Sequence, residues 1–362
     1  MISRHFLFTI FFLTIFGVSA QVEVINIGGV GYVSLTDQLP ENLTSERSIV
    51  IISMPTKNKG GYEVRGDWKT LAKKVHGSIR QIGIDAIAYV YEDDLNAGPE
   101  VTSAYLKLFK VRQVENLVYF QVNGNYPNES YKLIISKYDP EHFIKSGQVA
   151  WRATHNQLDR LMVTLGRQVL RQDLDRSNFL IPEIPDFVKD IKVFDGTLLE
   201  TFPSRLYSQK LAVVAFQKVQ VEEPNEIIDA YNQTVEIKNN ILAEIMKSYK
   251  FKYEIVEETN EDKLYDAGFQ YALIPLSSTG RSIKEILNYK TQNAETHYIS
   301  EAKGVNGKDL LKKIPVNANV TKYYIKQTIV KDVHTGIAWD ADVSWEKALQ
   351  NFLGHLKEDF DK

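Results

Sequence analysis

Apolar and polar positions along this chain fall into two rhythms, and the order of those rhythms recurs. Ser48-Ile-Val-Ile-Ile-Ser53 is a short β-branched run between polar residues, and Leu211-Ala-Val-Val-Ala-Phe216 is a second. Runs of this length and composition predict buried strands. After the first, Trp68, Leu71, Ala72, Val75 and Ile79 recur at helical spacing. After the second, Ile237, Ile241, Leu242, Ile245 and Tyr249 do the same. Each set predicts an amphipathic helix with one buried stripe.

The correspondence continues. Gly83-Ile-Asp-Ala-Ile-Ala-Tyr-Val90 matches Gly268-Phe-Gln-Tyr-Ala-Leu-Ile-Pro275, a glycine and then a buried-type strand. The polar loops after them, Glu92–Gly98 and Ser277–Gly280, each lead into a second helix. Gly147-Gln-Val-Ala-Trp151 matches Gly336-Ile-Ala-Trp339. The helices that follow carry Leu158, Leu161, Met162, Leu165 and Val169, and Trp345, Ala348, Leu349, Phe352 and Leu356. The alternation of strands and helices predicts an α/β (α+β) chain of two tandem modules, 45–172 and 208–358. Each is expected to hold a roughly four-stranded mixed sheet with about three helices. Residues 21–44 read as an N-terminal extended segment. Residues 173–207, with Pro182, Pro185 and Pro203, read as a linker lying against a module.

Residues 1–20 change the compartment. Arg4, an apolar core from Phe6 to Phe16 and Val18-Ser19-Ala20 form an export signal cut before Gln21. The chain has no Cys, so disulfides, thiolate metal sites, cysteine nucleophiles and a lipoprotein anchor are excluded. Lys and Arg total 43 against 46 Asp and Glu, with no basic block, which argues against nucleic acid as a partner. Past residue 25 no apolar run is long enough to span a membrane. A Cys-free exported chain is expected in the bacterial periplasm.

Two resemblances follow from these residues. The Val-Ser-Ala ending before Gln21 resembles that of exported proteins of the Bacteroidota. Lys210–Phe216, the strand at Phe269–Leu273, and His334-Thr-Gly-Ile-Ala-Trp339 with its terminal helix resemble a small α/β module. That module occurs in the curli-secretion lipoprotein and in the amino-terminal domain of the Tol-system propeller protein. The resemblance covers about 150 residues, and the extra helix after Ser277–Gly280 departs from it. It implies envelope assembly or secretion with protein partners, and it brings no catalytic residues.

Chemistry-bearing motifs are sparse. The seven histidines (His5, His76, His142, His155, His297, His334 and His355) form no His-x-His or His-Glu-x-x-His pair, so no metal site is expected. His76 reads as a solvated helix residue. Gly304-Val-Asn-Gly-Lys308 is too short for a phosphate loop, and Gly28-Gly-Val-Gly31 lacks the helix a dinucleotide turn needs. Ser277, Ser278, Thr279, Gly280 and Arg281 form the best anion candidate, because a loop entering a helix presents free amides. The same residues also suit a simple cap. Asp340 and Asp342 read as solvated carboxylates at a strand end. Phe179, Leu180, Ile181, Ile184 and Phe187 lie among prolines with no helical period, which makes them candidates for partner contact or for folding back.

The leading expectation is a non-enzymatic periplasmic interaction protein with no cofactor and a large envelope or outer-membrane partner. Such a chain would serve a secretion or gliding machine, such as the type IX translocon, as a docking or plug subunit. The alternatives are a periplasmic hydrolase with its site in the cleft between modules, and a small-anion-binding protein.

Overall fold

The computed structural model describes residues 22–125, 127–188, 191–219, 226–292, 294–303, 309–337 and 340–361. The expected export signal, Trp339 and Gly304–Lys308 lie outside them. The first half runs β1 (Val22–Asn26), β2 (Val30–Thr36), β3 (Arg47–Ser53), a small hairpin of β4 (Lys57–Lys59) and β5 (Tyr62–Val64), α1 (Trp68–Ile82) and β6 (Asp85–Tyr91). It continues through α2 (Glu92–Leu95), α3 (Pro99–Val111), β7 (Val114–Asn123), β8 (Ser130–Lys137), β9 (Gln148–His155) and α4 (Leu158–Arg171). The second half runs β10 (Leu198–Leu199), β11 (Leu211–Val214), α5 (Glu226–Met246), β12 (Tyr253–Val256), α6 (Glu261–Asp266) and β13 (Tyr271–Thr279). After α7 (Gly280–Ile286) come the hairpin β14 (His297–Lys303) and β15 (Asp309–Pro315), then β16 (Asn319–Gln327), β17 (Val333–His334) and α8 (Trp345–Phe360).

The result is a mixed α/β protein with two large mixed sheets. The first has the order β1-β2-β9-β8-β7-β3-β6, and the second β10-β17-β16-β13-β11-β12. β3 runs parallel to β6 and β7, while β8 is antiparallel to β7 and β9. β11 runs parallel to β12 and β13, while β16 is antiparallel to β13 and β17. Both sheets are larger than the four strands expected. The 21–44 segment is not a separate extended piece: β2 joins the first sheet parallel to β9, and β1 pairs antiparallel with β2. Between them Gly28 and Gly29 take positive φ, and a Cβ at Gly28 would meet the Phe143 ring, so the glycine run is a close-packed turn.

Amphipathic helices cover one face of each sheet. Ala72, Val75 and Ile79 of α1 and Leu161, Met162, Leu165 and Val169 of α4 bury against Val50, Ile52, Phe120, Ile135 and Trp151. Leu242, Met246 and Tyr249 with Ala348, Leu349, Phe352 and Leu356 bury against Leu211, Val213, Leu273, Tyr323 and Ile325. The other faces meet in one continuous core, joining Ile49, Ile51 and Leu117 to Ala212, Ile274 and Tyr324 through Val101, Tyr105 and Phe109 of α3. Apolar burial on both faces explains why these strands read as unbroken apolar runs.

Three pairings from the sequence need correction. β6 is an edge strand, whereas β13 holds the inner place that β7 holds in the first sheet. The glycines that suggested their equivalence share something more general. Gly83 and Gly268 both have positive φ where a helix ends, a signal common to helix-to-strand junctions. Gly147 precedes β9, whereas Gly336 follows β17. On α5, Ile237 and Ile241 are 60% and 38% exposed, whereas Ile228, Val235, Leu242 and Met246 are buried, as is Tyr249 just beyond the helix.

Candidate functional site

Ser277–Arg281 sits at the seam between the two halves. The Ser278 and Ser282 hydroxyls donate to the Asp94 carboxylate at 2.8 and 3.1 Å, and Arg65 donates to its other oxygen at 2.8 Å. The Ser277 amide donates to the Ala97 carbonyl at 2.7 Å, and Asn319 donates to Asp93 at 2.8 Å. The two polar loops expected to be copies of one another therefore touch. Thr279 caps α7, its hydroxyl accepting the Ser282 amide at 3.2 Å. An anion at these serines would meet Asp94, a repulsive neighbour that the loop sequence alone does not reveal. Gly280 is buried against Tyr298, where a Cβ would be a tight fit at about 3.0 Å, and Arg281 donates to the Glu295 carbonyl at 2.9 Å.

The first half of the linker is strapped along α1 and the free edge of β6. Asn178 donates to the Gly83 carbonyl at 3.2 Å, and Arg80 donates to that of Ile181 at 3.3 Å. His76 lies 3.0 Å from the Pro182 carbonyl and 3.0 Å from the Tyr89 hydroxyl. The Tyr89 amide donates to Asp186 at 2.8 Å, extending the sheet edge. His76 is thus buried, not solvated as expected, because the strap covers the helix face it occupies. Among the partner candidates, Phe187 packs edge-on against Trp68 and joins the core under α1. Ile181 is half-buried. Phe179, Leu180 and Ile184 are 83%, 96% and 74% exposed.

The inner face of β16 carries charge into the second half. Lys322 and Asp340 are both fully buried and paired, and the Lys322 ammonium also donates to the carbonyls of Thr335 and Ile337 at 2.8 and 2.7 Å. Burial pushes the Asp340 carboxyl upward against the pull of Lys322. Asp342, also buried, pairs with Lys312 at 3.0 Å. These aspartates are structural rather than solvated. Lys326 is shared between Glu100 of α3, at 2.8 Å, and Glu261 of α6. Burial pushes the Glu100 carboxyl up to about 7 while Lys326 pulls it down. The sequence reading missed this network. Its available signal was Lys322, Tyr324 and Lys326 on one face of an otherwise apolar strand.

Between the halves lies a cleft of about 670 Å³ whose wall includes Trp68, Lys69, Tyr105, Phe187 and Arg281. No His lines it, and among the described residues no cluster suited to a metal ion occurs. Among the described residues no helix is long and apolar enough to cross a membrane. No family model and no curated protein matches this chain. Among solved structures, the PelC dodecamer from Paraburkholderia phytofirmans is similar at 7% identity, covering 43% of this chain and 99% of its own, with a TM-score of 0.20. That likeness is too slight to bear on fold or function.

Proposed function

We propose that this chain is a non-enzymatic protein-interaction component of the bacterial envelope. It is exported to the periplasm after signal cleavage near Gln21 and docks on a large envelope or outer-membrane partner, as an accessory of a secretion or gliding machine. The observation that carries this reading is the strap. It is held by the Asn178 side chain on Gly83 and by Arg80, His76 and Tyr89 on its backbone carbonyls, while Phe179, Leu180 and Ile184 face solvent. A fixed extended segment loses less entropy on docking than a free one, and its exposed apolar side chains are the anchors that such docking needs. We also read 45–172 and 208–358 as copies of one module. The support is the shared order and sense of β9-β8-β7-β3-β6 and β17-β16-β13-β11-β12. The hydrolase alternative has no comparable support, because Asp94 is occupied by Arg65 and two serines and no His lines the cleft.

The test is affinity isolation of the native protein from envelope fractions, beside a Phe179→Ser/Leu180→Ser/Ile184→Ser variant. A stoichiometric membrane partner should be lost from the variant while its melting temperature stays that of the parent. The same partner retained by the variant, or a parent protein recovered as a soluble monomer, would defeat the reading.

A further inference from the structure

We infer that the cleft between the two halves binds a small organic anion with an apolar or aromatic body. This is independent of the docking reading, since the side chains that display outward from the strap take no part. A volume of about 670 Å³ suits a small molecule. Part of the wall is aromatic: the Trp68 and Phe187 rings meet edge to face at 5.4 Å, and Tyr105 adds to them. The Lys69 ammonium stands over this surface, 5.8 Å from the Trp68 centroid and 5.4 Å from that of Phe187.

The hydrogen-bonding inventory of the wall is lopsided. Lys69 is attracted to Asp67 through space but makes no close ion pair among the described residues, and Arg281 spends only one donor, on the Glu295 carbonyl. The carboxylates are largely used. Asp94 accepts from Arg65, Ser278 and Ser282, and Asp67 accepts the amide and hydroxyl of Thr70, leaving only the exposed Glu285. Arg65 adds a buried donor at Nε with no hydrogen-bond acceptor, while its Nη2 lies 3.7 Å from the Asp93 carboxylate. Unused cationic donors beside an aromatic wall call for a ligand that brings acceptors, a negative charge and a flat or apolar body. Ser277 and Ser278, read from the sequence, do not line it; of that candidate set Thr279 and Arg281 do, and Arg281 supplies the charge.

The probe is 8-anilinonaphthalene-1-sulfonate, followed by its fluorescence on the folded protein. Saturable binding at one equivalent is expected. Lys69→Ala and Arg281→Ala should each weaken it about tenfold, as loss of a charge-assisted contact does. The uncharged N-phenyl-1-naphthylamine should bind the parent at least about tenfold more weakly. Melting curves check folding, and Lys69→Gln and Arg281→Gln, which keep side-chain bulk, replace any alanine variant that melts early. Unsaturable binding, unchanged affinity in a Lys69→Ala/Arg281→Ala double variant, or equal affinity for the uncharged probe would each overturn the proposal.

Discussion

β8 and β16 hold the same place in the two strand orders, and each turns a lysine toward the inner face two residues before a buried apolar residue. In the first sheet this is Lys132, before Ile134; in the second it is Lys322, before Tyr324. Lys132 is 20% exposed and shares Glu23 of β1 with Arg152. Burial raises the Glu23 carboxyl, but the two cations outweigh it and hold the group below its ordinary range. Lys322 has no access to water and has Asp340, equally dry, as its counter-charge. One strand position thus tolerates a cation in both settings, provided that a carboxylate comes with it. The setting decides how much depends on the partner.

That difference fixes the largest expected effect. Lys322→Met leaves Asp340 buried and unpaired and should lower unfolding free energy by about 3–5 kcal/mol. Lys132→Met, with Glu23 still held by Arg152, should cost about 1 kcal/mol or less. Urea denaturation of both variants measures the contrast. The double change Lys322→Met/Asp340→Leu should recover most of the loss, because removing both charges removes the desolvation penalty. A double variant as unstable as the single one would mean that the pair does more than neutralise itself.

A second contrast lies across the seam. Glu100 reaches from α3 of the first half to Lys326 of the second, and Lys326 already serves Glu261. Its folded-state carboxyl is raised from 4.5 to about 7 by burial. Between those values the folded chain binds more protons than the unfolded one. The stabilising contribution is therefore fully present below pH 4.5 and is lost as pH rises through about 7. At 1.36 kcal/mol per unit its ceiling is about 3 kcal/mol. Glu100→Gln should flatten the pH 5–8 slope of the urea midpoint and stabilise the protein at pH 8. An unchanged slope would place the titration elsewhere.

These charges mark the limit of what was legible. Strand and helix periods were read well wherever a residue's neighbours lie within one element: β3, β11, α1, α4 and α8 fall where the apolar spacing put them. The failures all involve partners remote in sequence. His76 is dry only because Pro182 is strapped over it, and Asp340 is dry only because Lys322 reaches it. Of the two readings open for Ser277–Gly280, the cap is seen at Thr279, while the contact of Ser278 with Asp94, 184 residues earlier, was invisible to local reasoning. The linker carried both possibilities in its sequence, and the structure divides them. Phe187 turns inward beside Trp68 while Ile184 turns outward, three residues apart on an extended path.

The smallest effect is expected on α5, where helical spacing alone put Ile237 and Ile241 on a stripe that only Leu242, Ile245 and Tyr249 of the set form. Five residues separate Ile237 from Leu242, which at 3.6 residues per turn is about 140° around the axis. The two cannot face the same sheet, although each lies in a plausible apolar series with Ile241 and Ile245. The set Leu242, Met246 and Tyr249 wins because those side chains pack with α8 and the sheet, whereas Ile237 is 60% exposed. Leu242→Ala should therefore cost about 2–5 kcal/mol, with the cavity it leaves. Ile237→Ser should stay within about 0.5 kcal/mol, as surface changes do, apart from a small loss of helix propensity. Thermal melts of the two variants, run side by side, read the difference. If Ile237→Ser lowers stability by as much as Leu242→Ala, that face is covered in the folded protein, and α5 sits differently against its sheet.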